Sequence, residues 1–126
     1  MRKLAWMLLL VLSSPALAAW KSVAEDARAI TYVDPGSLRK NGDLVALASL
    51  VDYREFQRMV EVGYYSQKTE AEYDCRKRQA RNLALHLHEG RMGAGKVIYE
   101  DASPHDWEDV QPETPVEVLW KVACGR

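Results

Sequence analysis

The sequence predicts an α+β domain in which a series of β-strands is followed by one C-terminal helix, with a disulfide fastening the helix to a strand. Three observations carry that reading. Segments rich in β-branched and aromatic residues alternate with turn residues. Residues 114–125 hold a full set of helix start and stop signals. The only two cysteines are Cys75, at the end of a strand-like segment, and Cys124, at the end of that helix.

The chain begins with an address. Met1-Arg2-Lys3 is positively charged, Leu4 to Leu12 is an apolar run, and Ser13-Ser14-Pro15 breaks it before Ala16-Leu17-Ala18. That is the plan of a secretory signal peptide, and the run is too short to cross a membrane as a helix. Cleavage after Ala18 predicts a single domain over residues 19–126. The loss of Arg2 and Lys3 takes the formal charge from −1 to −3. This mildly acidic balance excludes a nucleic-acid partner and a polybasic membrane patch. No cysteine follows the cleavage site until Cys75, so no lipid anchor is expected. Export also decides how the cysteines read, because a lone pair in an oxidising compartment is most simply a disulfide.

The strands follow in order. Trp20 to Val23 alternates and reads as a short first strand. Residues 29–33, Ala-Ile-Thr-Tyr-Val, read as a second, ended by a turn at Asp34-Pro35-Gly36-Ser37. Asn41-Gly42 is a hairpin signal, and Leu44 to Tyr53 then reads as a long strand buried on both faces. From Tyr64 to Cys75 one parity is far more polar than the other, as in a strand with one wet face. Arg76 to Gln79 reads as a turn. Residues 80–88 fit either a helix or a strand by spacing, and propensity favours helix. Gly90, Gly93 and Gly95 mark a loop, and Val97-Ile98-Tyr99 is β-like. Thr114 then caps a helix with Pro115 at its first position and Glu117 completing a capping box. Val116, Leu119, Trp120 and Ala123 form its apolar stripe, and Gly125 ends it.

Candidate chemistry is sparse. His86, His88 and His105 lack the spacing of a zinc site and read as surface histidines. Gly90 to Lys96 lacks the spacing of a phosphate loop and reads as a connection between strands. No catalytic motif is present, so no enzyme, cofactor or metal is expected. Arg76, Lys77, Arg78 and Arg81 form the one basic cluster, either a solvated face or a docking patch for an acidic partner. Trp20, Trp107 and Trp120 read as core or core-edge residues.

An ordered set of residues runs through the chain: Trp20; Tyr32-Val33-Asp34-Pro35 with Ser37; Asp52-Tyr53; Ser66 and Lys68; Glu72-Tyr73-Asp74-Cys75; Arg81; Met92-Gly93, Gly95-Lys96-Val97; Trp107, Val110 and Pro112; and Cys124. This set resembles the surface-adhesin protein E family of small exported bacterial proteins. The resemblance implies a small antiparallel β-sheet with a C-terminal helix packed on it and tethered by the disulfide. It makes residues 80–88 a strand and 76–79 a hairpin turn. It also implies a non-enzymatic, adhesin-like domain that binds host extracellular-matrix or serum proteins. The expected contact surface is the sheet face, or the loop around Tyr64 and Tyr65 with the basic cluster Arg76, Lys77, Arg78 and Arg81. A lipid-anchored adhesin is known in the family, and this chain departs from it by having no cysteine at the cleavage site. A soluble periplasmic or secreted module, binding an envelope partner, is the alternative. A small metal-dependent enzyme is a more distant one, and an uncovered sheet edge allows a homodimer.

Overall fold

The computed structural model describes residues 19–126, and the signal peptide expected over residues 1–18 lies outside them. Seven strands form one antiparallel sheet: β1 (Lys21–Glu25), β2 (Ala29–Asn41), β3 (Leu44–Met59), β4 (Val62–Asp74), β5 (Gln79–His88), β6 (Val97–Asp101) and β7 (Glu108–Asp109). β1 to β6 lie side by side in chain order, and β7 pairs with the start of β5. The one α-helix among the described residues, α1 (Pro115–Cys124), follows β7. The antiparallel sheet, the strand over 80–88 and the terminal helix are therefore as the sequence and its family resemblance imply.

Neighbouring strands are joined by tight turns, which is why the chain forms a meander. β2 and β3 meet at a two-residue turn, Gly42-Asp43, with Asn41 opposite Leu44. Gly42 has a φ of 62°, a conformation that glycine adopts at little cost. β4 and β5 meet over residues 75–78, where Asp74 Oδ1 accepts from the amides of Arg76 at 3.0 Å and Lys77 at 2.9 Å. The side chain thus replaces the ladder bonds that the turn interrupts.

Two expectations need correction here. Asp34 to Ser37 is not the end of β2 but an irregularity inside it, between Asp34 and Arg39. Ser37 Oγ donates to Asp34 O at 2.7 Å and accepts from Ala48 N at 2.8 Å, so the hydroxyl restores the pairing across the bulge. The long strand also runs well beyond Tyr53, to Met59. A further bulge in β5 passes over Leu83, because Asn82 pairs with Ala71 and Ala84 with Glu70. Arg81, Leu83, Leu85 and Leu87 therefore do not share one face. Arg81 and His86 lie across from Glu72 and Lys68 instead.

The core lies between α1 and one face of the sheet. Val33, Val45, Leu47, Ala71 and Tyr73 meet Leu119, Trp120 and Ala123 there, with Val110 at the margin. Trp120 is buried, and its indole Nε1 donates to Asp74 O at 2.9 Å, which satisfies the one polar atom it brings inside. Val116, expected on the same stripe, is exposed. Thr114 Oγ1 accepts from Glu117 N, and Arg126 N and Gly125 N reach back to Lys121 O and Val122 O. Both ends of the helix are thus capped as its sequence specifies. Cys75 and Cys124 are bonded, and the bridge joins the start of the β4–β5 turn to the last residue of α1.

Candidate functional site

The expected contact residues fall at opposite ends of the sheet. β4 has Tyr64 and Tyr65 near its start and Cys75 just past its end. Ten residues of strand separate Tyr65 from Cys75, roughly 33 Å at the usual rise. Tyr64 and Tyr65 therefore do not combine with Arg76–Arg81 into one surface.

At the turn end, most of the basic cluster is already engaged. Arg78 forms an ion pair with Glu117 and lies over the Trp120 ring, 4.9 Å from its centroid. Arg81 makes two hydrogen bonds to Glu72 Oε1, at 2.9 and 3.0 Å, and covers the Trp107 ring at 4.7 Å. These two arginines belong to the fold, because each closes an aromatic side chain against a carboxylate. Arg76 and Lys77 are exposed and take part in none of the ion pairs among the described residues. The Glu117 carboxylate is held below its ordinary pKa, first by the Glu113 backbone amide and then by Lys121 and Arg78.

The other end is less covered. β2 pairs with β3 only as far as Tyr53, and β5 pairs with β4 only down to Ser66. Residues 54–65 therefore form a two-stranded arm that reaches past the rest of the sheet. Its tip is the turn Val60-Glu61, with Met59 opposite Val62. Val60 is 94% exposed and has a φ of 53°, a conformation unfavourable for a β-branched residue. Phe56 is 48% exposed and packs edge-on against Tyr65, while Tyr53 does the same against Tyr64. Arg91 stacks 4.7 Å above Tyr65 and donates to the Tyr53 and Arg54 carbonyls at 2.7 Å each. Burial raises the Tyr53 pKa, so this ring stays neutral at the base of the arm. Phe56, Met59, Val60 and Arg91 were outside the sequence expectation. The arm has no Gly, Pro or Asn at its tip, and its alternation is broken by a bulge between Asp52 and Gln57.

The histidines part company. His105 is exposed and pairs with Asp101 at 2.7 Å. His86 is half-buried and lies 3.3 Å from Glu100. His88 is not a surface residue as expected. It is 6% exposed, and neither ring nitrogen has a hydrogen-bond partner. Burial pushes its pKa down, with Lys68 and His86 adding to the shift. The Gly95 backbone opposes that shift from nearby, without hydrogen-bond geometry. Among the described residues no three His, Cys, Asp or Glu side chains converge as a metal site. The glycine-rich segment joins β5 to β6, and its turn at Arg91–Gly93 folds onto the sheet. Ser66 Oγ donates to Gly90 O at 2.6 Å and accepts from Gly93 N at 2.9 Å.

Fold and surface together define a helix-backed, disulfide-closed antiparallel sheet with an exposed apolar arm. The chain belongs to the surface-adhesin protein E family, whose family model matches residues 20–125. Solved structures of Haemophilus influenzae protein E have the same fold. One is 12% identical, with a TM-score of 0.62 over 88% of this chain and 87% of that one. A second crystal form, also 12% identical, gives 0.65 over 88% and 91%. Protein E from non-typeable Haemophilus influenzae is 11% identical and gives 0.61 over 89% and 79%. No curated protein matches the sequence. Among the described residues no helix is long and apolar enough to cross a membrane.

Proposed function

We propose that this is an exported, non-enzymatic protein-binding domain, adhesin-like in action, and that the arm over residues 54–65 is its main contact surface. Host extracellular-matrix or serum proteins are the expected partners, a reading that rests on the family. The observation that carries the choice of surface is the tip of the arm. An exposed apolar side chain at a strained turn gains nothing for the fold, and such features gather where a partner is engaged. Phe56, Tyr64 and Tyr65 add aromatic area of the kind that anchors protein interfaces. Arg76 and Lys77, at the far end, form a separate and weaker patch suited to an acidic partner.

The test compares two variants against a panel of purified extracellular-matrix and serum proteins by biolayer interferometry. Phe56→Ser with Val60→Gly removes the arm's apolar surface, and Arg76→Glu with Lys77→Glu reverses the other patch. The first pair should lose binding, and the second should slow association and lose salt dependence. Full affinity in the arm variant rules the arm out. Arg78 is a poor target, since reversing it sets like charges together at Glu117.

The second reading is a soluble periplasmic module that uses the same arm on an envelope partner. The absence of a cysteine at the cleavage site favours it. Protease added to intact cells separates the two. Cleavage places the domain outside, and protection until the outer membrane is opened places it in the periplasm.

A further inference from the structure

Arg91 directs its guanidinium to the main chain of the arm. It belongs to none of the ion pairs among the described residues. It donates instead to Tyr53 O and Arg54 O, at 2.7 Å each. Both carbonyls lie in the bulge between Asp52 and Gln57, where the β3–β4 ladder breaks and the arm begins. The same guanidinium lies 4.7 Å from the centre of the Tyr65 ring. We propose that Arg91 is a positioning residue, which braces the arm against the sheet and holds its aromatic surface in place for a partner. This role rests on the arm being the contact surface.

The segment that carries Arg91 is itself docked. Ser66 is fully buried, and its hydroxyl holds both Gly90 O and Gly93 N. Met92 N donates to Asp52 Oδ1 at 2.8 Å, and Ala94 N closes the turn on Arg91 O at 3.0 Å. Met92 takes a φ of 56°, uncommon for a residue with a side chain, and is 40% exposed. Such a conformation persists only where its surroundings over-determine it. The bonds on either side of Met92 do so, and they also set where Arg91 stands.

From Arg91 the contacts run outward to an exposed ring. Tyr65 packs edge-on against Phe56, with centroids 5.3 Å apart. The Phe56 ring lies over Gly63, where a Cβ would stand 1.8 Å from Phe56 Cζ. Phe56 is thus seated by Gly63 and Tyr65, and Tyr65 is held by Arg91. An anchor already in its bound place loses less freedom on binding. Without the brace the arm keeps only its own pairing, from Gln57 opposite Tyr64 to Met59 opposite Val62. An isolated hairpin of that kind is marginal in water. The arm would stand in its binding position for only part of the time, and apparent affinity would fall by that fraction.

Hydrogen exchange on the protein over residues 19–126 tests the brace without any partner. Arg91→Gln keeps a polar side chain and loses the bidentate fork. In this variant the amides of Gln57 and Tyr64 should exchange about tenfold faster, the scale of charge-assisted hydrogen bonds. The amides of Leu47 and Tyr73 in the core, and the urea midpoint, should match wild type. Unchanged exchange at Gln57 and Tyr64 overturns the proposal. So does faster exchange in the core with a lowered midpoint, which would make Arg91 an ordinary stabilising residue. Binding kinetics with a purified matrix or serum protein from the panel complete the test. Association should slow about tenfold in Arg91→Gln while dissociation stays as in wild type. Faster dissociation at unchanged association would make Arg91 a direct contact and overturn its positioning role. A loosened arm with association and dissociation both as in wild type would keep the brace and refute the arm as the contact surface.

Discussion

The two ends of β3 and β4 are built on opposite terms. At the turn end the largest apolar groups are covered: Trp120 and Leu119 press onto Leu47 and Tyr73, and a disulfide closes the assembly. Even the basic residues serve that end, Arg78 over Trp120 and Arg81 over Trp107. At the other end the same two strands continue without further strands paired beside them, with Arg91 packed only at the base, and present Phe56 and Val60 to solvent. One sheet thus divides its labour. The end that is packed supplies stability, and the end that is not is free to meet another molecule.

Stability measurements can break this comparison. The largest effect belongs to the disulfide. Replacing Cys75 and Cys124 by Ser should cost about 4 kcal/mol in urea unfolding of the domain, on the chain-entropy view of a long closed span. Leu47→Ala removes a fully buried side chain and should cost about 3 kcal/mol. Loss of the α1 cap in Thr114→Ala should cost about 1 kcal/mol. Substitutions on the arm should behave in the opposite way. Val60→Gly relieves a left-handed conformation and should leave stability unchanged or raise it by about 0.5 kcal/mol. A loss of more than 1 kcal/mol there, on the scale of a lost cap, would mean that the arm supports the fold.

The pH dependence is the smallest effect, and its sign is fixed. The His88 pKa is lowered by burial, so the unfolded chain takes up a proton that the folded chain resists. Stability from this group is complete above the unfolded value near 6.5 and falls as pH drops through it. Chemical unfolding at pH 7.5 and 5.5 should show wild type losing stability at the lower pH, and His88→Gln losing less. An equal loss in both proteins would remove His88 as the cause.

Legibility in the sequence followed the same divide. The packed end was readable because its signals are local. Thr114, Pro115, Glu117 and Gly125 specify a helix within a dozen residues, and two cysteines in an exported chain leave one simple pairing. The strand over 79–88 was not readable from spacing, since its residues satisfy both periods. The sheet decides: β5 pairs with β4, and Leu87 is buried there opposite Gln67. The arm was the least legible part. Its tip, Val60-Glu61, holds neither turn-forming residue type nor glycine, so nothing marks the chain reversal. The buried state of His88 was hidden for a related reason. The segment that follows it folds back onto the sheet through Ser66, and that contact joins residues 24 and 27 positions apart.

The comparison rests on the claim that the arm binds and does not stabilise. The most direct test measures both quantities on one protein, Phe56→Ser with Val60→Gly. Its urea midpoint and its affinity for the best ligand from the matrix and serum panel are set beside those of wild type. An unchanged or higher midpoint with binding reduced at least tenfold is the predicted result, the scale on which an interface anchor acts. Intact binding with a lowered midpoint would contradict the account and return the arm to the fold.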